Sequence, residues 1–193
     1  MKRVGFLGTG IMGSHMARRL AARFEVAAWN RSVAKVDALS GAGVRLASTP
    51  REAIRDADAV VVMLSTGAVV DEVLFGADSP LGAVRPGGLV VVMSSIPVET
   101  VRLQAADCAR QGLDYLDAPV SGGEPGARDG TLAILVGGSS AGFSAAAPLF
   151  AALGRPTLLG PVGCGQLAKL ANQIIVGGTL VAIAEALSLV AQG

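Results

Sequence analysis

Three sets of residues in this 193-residue chain have the types and spacing to do chemistry: Gly8, Gly10 and Gly13; Arg31 with Ser32; and Lys169 with Asn172 and Gln173. The glycines form Gly8-x-Gly10-x-x-Gly13, preceded by the apolar run Val4-Gly-Phe-Leu7 and followed at once by a helical pattern. In that context Gly8 permits a tight turn, Gly10 admits a pyrophosphate to the backbone, and Gly13 lets the helix pack closely on the strand. The helix start offers unpaired N–H groups and the positive end of its dipole, which favour an anion. The chemistry implied is dinucleotide binding; the bland alternative is a structural turn.

About 20 residues past such a fingerprint, an NAD site usually has an acid for the ribose 2′-hydroxyl. Here Ala28, Trp29 and Asn30 end the second strand pattern, and no acid follows before Asp37. Arg31 and Ser32 instead offer a cation and a hydroxyl, and a guanidinium pairs well with a phosphate. NADP is therefore expected over NAD, with a solvated polar loop as the other reading. Lys169, Asn172 and Gln173 share a helix face at i, i+3 and i+4. Burial there lowers a lysine pKa and makes a general acid or base near neutrality; a snorkelling surface lysine fits the same spacing. Ser121, Gly122 and Gly123 supply a hydroxyl and backbone amides able to hold a carboxylate, or simply form a surface loop.

These residues need a scaffold that brings them to one edge. Strand patterns lie near 3–7, 25–29, 44–46, 59–64, 89–93 and 114–117, and helical ones near 12–22, 33–40, 51–56, 68–75 and 98–111. The alternation predicts a doubly wound α/β fold of Rossmann type with a mostly parallel sheet, whose ligands bind beyond the carboxyl ends of the strands. The runs Ala59-Val-Val-Val-Met-Leu64 and Leu89-Val-Val-Val-Met93 are apolar throughout, as central strands covered on both faces are. Strand ends at Leu64-Ser65-Thr66, Ser94-Ser95 and Pro119-Val-Ser-Gly-Gly123 thus join the fingerprint's edge. The stretch 121–130 reads as a loop, too polar and broken for an element; a strand at 131–136, a helix near 140–152 and a strand at 157–159 follow.

Composition narrows the class. Hydrophobic residues make up 51%, charged residues 16%, and the net charge is +1. Bulk electrostatics thus imply neither nucleic acid nor an anionic membrane surface. Cys108 and Cys164 are far apart and lack metal spacing, which suits reduced thiols in the cytoplasm. The Met-Lys-Arg start resembles a signal peptide, but glycines break its apolar stretch. Residues 156–193 hold only two charges, Lys169 and Glu185. Residues 166–192 read as one helix of about 40 Å at roughly 1.5 Å per residue. Between 174 and 184 only Thr179 is neither apolar nor glycine. Such a helix requires cover on several sides, from a second copy or a further helical domain. No uninterrupted apolar window reaches the ~18 residues of a membrane span, so none is expected.

Four motifs in order carry a resemblance: Gly5-Phe-Leu-Gly-Thr-Gly-Ile-Met-Gly13, Asn30-Arg-Ser32, Asp117-Ala-Pro-Val-Ser-Gly-Gly123 and Gly163-Cys-Gly-Gln-Leu-Ala-Lys169. The chain resembles the β-hydroxyacid dehydrogenases, a group that includes 3-hydroxyisobutyrate dehydrogenase and the tartronate semialdehyde and glyoxylate reductases. The resemblance implies that Gly8, Gly10, Ile11, Met12, Gly13, Asn30, Arg31, Ser32, Met63, Leu64, Ser65 and Ser95 contact the cofactor. Many members carry Pro where this chain has Ser65. It further implies that Lys169 donates a proton as hydride arrives from the nicotinamide. Ser121, Gly122 and Gly123 would then bind the substrate carboxylate, and Asn172 and Gln173 would orient the substrate. The expected organisation is a cofactor domain over 1–160 and, over 161–193, the first part of a long interdomain helix of a helical domain otherwise absent.

The expected activity is NADPH-preferring reduction of a small carboxylated aldehyde such as tartronate semialdehyde, in a homo-oligomer joined through the C-terminal helix. The competing reading is a dinucleotide-binding fragment without catalysis that oligomerises through that helix. A related imine reductase is disfavoured because those enzymes usually carry a different acid at the Lys169 position. His15 reads as a surface residue, Arg18 and Arg19 as solvated, and Cys164 as a thiol at a helix start. Asp117 reads as a structural hydrogen-bonding residue serving the loop that follows it.

Overall fold

The computed structural model describes residues 1–32, 39 and 41–192. Its elements are β1 (Arg3–Leu7), α1 (Ile11–Ala21), β2 (Glu25–Trp29), β3 (Val44–Leu46), α2 (Pro50–Ile54), β4 (Ala59–Val62) and α3 (Gly67–Val70), which runs into a π-helical turn at Asp71–Phe75. Then come β5 (Leu89–Val92), α4 (Val98–Arg110), β6 (Asp114–Asp117), β7 (Val120–Ser121), α5 (Gly123–Asp129), β8 (Leu132–Gly138), α6 (Ser140–Leu153), β9 (Gly154–Gly160) and α7 (Cys164–Gln192). The helix expected near 33–40 lies outside the described residues, save for the buried Leu39.

The sheet order is β3-β2-β1-β4-β5-β6-β8-β7, with β9 added on β8. β1 through β6 pair in parallel, whereas β8 runs antiparallel to β6 and β7. The chain winds outward in opposite directions from β1 and β4, which leaves a crevice at their carboxyl ends.

The alternation within each strand explains its unbroken apolar character. Val61 and Val91 pack with Met16 and Leu20 of α1 and with Leu149 and Phe150 of α6. Their neighbours Val60, Val62, Val90 and Val92 pack on the other face with Ile54, Leu74 and Val101. Two cores share one sheet, so no central-strand position faces water.

The reading of 121–130 as a loop is corrected: Val120 and Ser121 pair with β8, and Gly123–Asp129 is helical. Pro125 falls in the first turn, where its missing N–H is harmless, and Gly130 ends the helix at φ 71°. Polarity hid a short helix whose punctuation was nonetheless correct.

The long helix is seated only at its start, where Gly163, Gly165 and Gln166 are buried; from Gln173 to Ala191 its residues are exposed. Ile174 and Val190 are 75% and 78% accessible. By length and composition alone this helix is long and apolar enough to cross a membrane, although no uninterrupted apolar run in it reaches that length. Core helices of soluble proteins pass the same test.

Beneath the opposite sheet edge, Asp58 accepts the amides of Arg3 (3.0 Å) and Lys2 (2.5 Å) and pairs with the Arg85 guanidinium at 2.7 Å. These donors, the amides foremost, hold its carboxyl at about 2 against an ordinary 3.8. Its stabilising contribution is therefore complete above pH 3.8 and lost as pH falls toward 2. Asp58→Asn should lower stability near neutrality by about 1–3 kcal/mol. Chemical denaturation across the acid range should also show a shallower loss in the variant than in the parent chain.

Candidate active site

The fingerprint turn is set by backbone contact. Gly8 adopts φ 101°, and a Cβ there would stand 2.2 Å from the Met63 carbonyl oxygen. A Cβ on Gly13 would stand 1.9 Å from the Gly8 carbonyl oxygen, so α1 approaches its own entry turn more closely than any side chain allows. Gly10 differs: a Cβ there meets nothing within 4 Å and would project into open space. The first turn of α1 carries neither a side-chain cap nor an acidic residue. Uncapped amides beside an unfilled glycine surface form a cradle that fits a pyrophosphate.

The turn borders a cleft of about 820 Å³. Every residue expected to hold the cofactor lines it except Ser95. Asn30 braces the adjoining loop, accepting the Thr9 amide at 3.2 Å and donating to the Ser32 carbonyl at 3.2 Å. Exposed Arg31 and Ser32 follow on the cleft wall. On the next strand edge, the Leu64 amide donates to the buried Ser94 hydroxyl at 2.8 Å, fixing the Met63, Leu64 and Ser65 turn. Residues not anticipated from the sequence complete the cleft: Thr49, Pro50 and Arg51 from the start of α2, Val69, Glu72 and Val73 from α3 and its π turn, and Asp78 and Pro80 beyond. Their common signal was position after β3 or β4 on the fingerprint's edge, and no motif marked them.

Lys169, Asn172, Gln173 and the 121–123 loop do not line this cleft. They form a second grouping, joined across 51 residues by Asn172 Nδ2 donating to Ser121 Oγ at 3.5 Å, the long limit of a hydrogen bond. Asn172 also donates to Gln173 Oε1 at 3.4 Å. Partial burial pulls the Lys169 ammonium below the ordinary lysine value of 10.5. Among the described residues it has no carboxylate at ion-pair distance.

Two buried residues set this grouping. Asp117 accepts the amides of Gly163 and Gln166, each at 2.8 Å, and so caps the start of α7 rather than the loop that follows it in sequence. Burial raises its pKa against these amides, which act to lower it. Gln166, missed from the sequence, accepts the Ile96 amide at 3.1 Å and donates to the Ser94 carbonyl at 2.8 Å. It therefore brackets Ser95, itself exposed, and lies one helical turn before Lys169. Its signal was a lone amide within an otherwise apolar helix start.

Residues 3–167 match the family model described as the NAD binding domain of 6-phosphogluconate dehydrogenase. The chain is 44% identical over 187 residues to 2-hydroxy-3-oxopropionate reductase of Escherichia coli K12, covering 96% of this chain and 64% of that protein. The chain belongs to the β-hydroxyacid dehydrogenase family. A second relative of this family, NAD-dependent L-serine dehydrogenase of Pseudomonas aeruginosa PAO1, is 38% identical over 98% of this chain and 64% of its own length. The structure of Mycobacterium tuberculosis 3-hydroxyisobutyrate dehydrogenase with L-serine superposes with a TM-score of 0.92 at 34% identity, over all of this chain and 66% of that one. The chain spans just under two thirds of the length of these β-hydroxyacid dehydrogenases. The relatives bear oxidoreductase names, and the matched domain is one that binds a nicotinamide dinucleotide.

The cradle yields a sharp contrast between two glycines. Gly10→Ala should keep the parent melting curve yet weaken dinucleotide binding by about tenfold or more. Gly13→Ala should instead lower stability by about 1–3 kcal/mol through overpacking. Titration with NADPH beside thermal denaturation reads both.

Proposed function

We propose that this chain is the cofactor-binding part of an NADPH-preferring oxidoreductase that reduces a small carboxylated aldehyde to a hydroxy acid, with Lys169 as proton donor. The observation that carries this is the partly buried Lys169 on the same face as Asn172, which reaches Ser121 of the glycine loop. Relatives named for 2-hydroxy-3-oxopropionate and for L-serine point to one substrate pattern: a three-carbon acid with the reacting oxygen on C3. Tartronate semialdehyde, which is 2-hydroxy-3-oxopropionate, fits that pattern.

The Ser121 hydroxyl and the amides of Gly122 and Gly123 hold the carboxylate. Asn172 and Gln173 orient the remaining polar groups, and their amides serve a C2 hydroxyl as readily as a C2 amine. When bound, NADPH would supply the hydride that the carbonyl carbon takes up. The Lys169 ammonium holds the carbonyl oxygen and gives it a proton, so that one hydride and one proton make the alcohol. The uncapped amides of α1 hold the pyrophosphate, and Arg31 with Ser32 meets the 2′-phosphate. A cytoplasmic enzyme with reduced thiols accords with its two free cysteines.

A second reading rests on the exposed apolar length of α7. There the chain binds dinucleotide and self-associates through this helix without turnover. Adding tartronate semialdehyde to the NADPH-loaded chain and following nicotinamide absorbance separates the two.

Lys169→Ala should cut turnover by about 10²–10⁴-fold while NADPH affinity holds. Equal loss of both would remove the proton-donor role. Because reduction needs the ammonium, its rate should fall as pH rises through the lowered lysine pKa, while the reverse oxidation rises over the same window. Arg31→Ala should weaken NADPH by about tenfold or more and leave NADH within about twofold, by direct titration.

A further inference from the structure

The helix that carries the dinucleotide cradle also grips the helix that carries the substrate loop. α5 has seven residues and begins at Gly123. A helix this short has little stability of its own, so packing decides where it sits. The packing comes from α1. His15, two residues after Gly13, places Nε2 3.2 Å from the Glu124 carboxylate at the front of α5. Arg19, one turn later on the same face, donates from Nη1 to the Arg128 carbonyl at 3.1 Å at the rear, and from Nε to the Ala152 carbonyl of α6 at 2.7 Å. Gly130 makes room for it, since a Cβ there would lie 2.3 Å from the guanidinium. Arg19 is not the solvated group that the sequence suggested but half-buried, as is the surface residue His15.

We propose that His15, Arg19 and Glu124 are positioning residues that set the 121–123 loop in register with the cofactor helix. This rests on the reading of that loop as the carboxylate site. One rigid helix, α1, then determines two distances at once: its start places the pyrophosphate and its outer face places the loop. The i, i+4 spacing of His15 and Arg19 spans α5 from its first turn to its last, so the short helix is held at both ends. With the proton on Nε2, His15 donates to the Glu124 carboxylate, a bond that a neutral amide side chain reproduces.

The test uses the chain as it stands, with and without saturating NADPH. In His15→Ala, amides 126–131, which close and follow α5, should exchange about tenfold faster with solvent. The KM for tartronate semialdehyde should rise about tenfold, with kcat and NADPH affinity each within about twofold. His15→Gln should restore both exchange and KM, a rescue that a general loss of stability does not produce. Unchanged exchange in His15→Ala, or equal exchange in the Ala and Gln variants, would overturn the clamp. If the variants show this exchange pattern while the parent chain never reduces tartronate semialdehyde, the clamp stands and the substrate assignment is overturned instead.

Discussion

A carboxylate taken out of water holds the long helix to the sheet. Asp117, fully buried at the end of β6, exchanges hydration for the first amides of α7. Those amides would otherwise be left without partners at a buried helix start. The bargain is mutual, since each side satisfies a polar group that burial would penalise. Glycines make it geometrically possible. A Cβ on Gly137 would sit 2.4 Å from Asp117 Oδ1, and one on Gly165 would sit 2.4 Å from the Leu135 carbonyl oxygen. Lys169 lies on the second turn of the helix fixed in this way, so its location follows from a residue 52 positions earlier.

Gln166 carries the same constraint toward the nucleotide side. Its amide is satisfied at both ends by the backbone on either side of Ser95, and Ser94 in turn accepts the Leu64 amide. Hydrogen bonds that are buried at Gln166 and part-buried at Leu64 therefore link the helix of the lysine, through Ser94, to the turn that lines the cleft. Such a network has value only when every member is paired. Among the described residues no buried side-chain nitrogen or oxygen lacks a partner. The cleft and the Lys169 grouping are thereby separate in their linings but not in their supports.

Much of the scaffold was legible because local chemistry and global packing agree. The all-apolar strands at β4 and β5 announced a sheet covered on both faces, and the two cores bear this out. The glycine fingerprint announced its cradle for an equally local reason: only glycine fits at Gly8 and Gly13. Legibility failed where pairing is long-range. The polarity of 123–129 suggested a loop because a short helix with one dry face leaves the rest of its surface in water. Arg19 looked solvated, and the role of His15 went unseen, because their partners are more than a hundred residues away.

The sequence by itself determined the succession of parallel strands through β6 and the glycine turn, and it nominated candidate residues for holding a carboxylate and moving a proton. These depend on neighbours within a turn or a strand, where residue type dictates geometry. Only the tertiary structure decided which of those residues meet, because the Asp117 cap, the Gln166 bracket and the grip of α1 on α5 all join segments far apart in the chain. Their bonds arise from burial and close approach, and no local pattern encodes which distant amide a buried carboxylate will find.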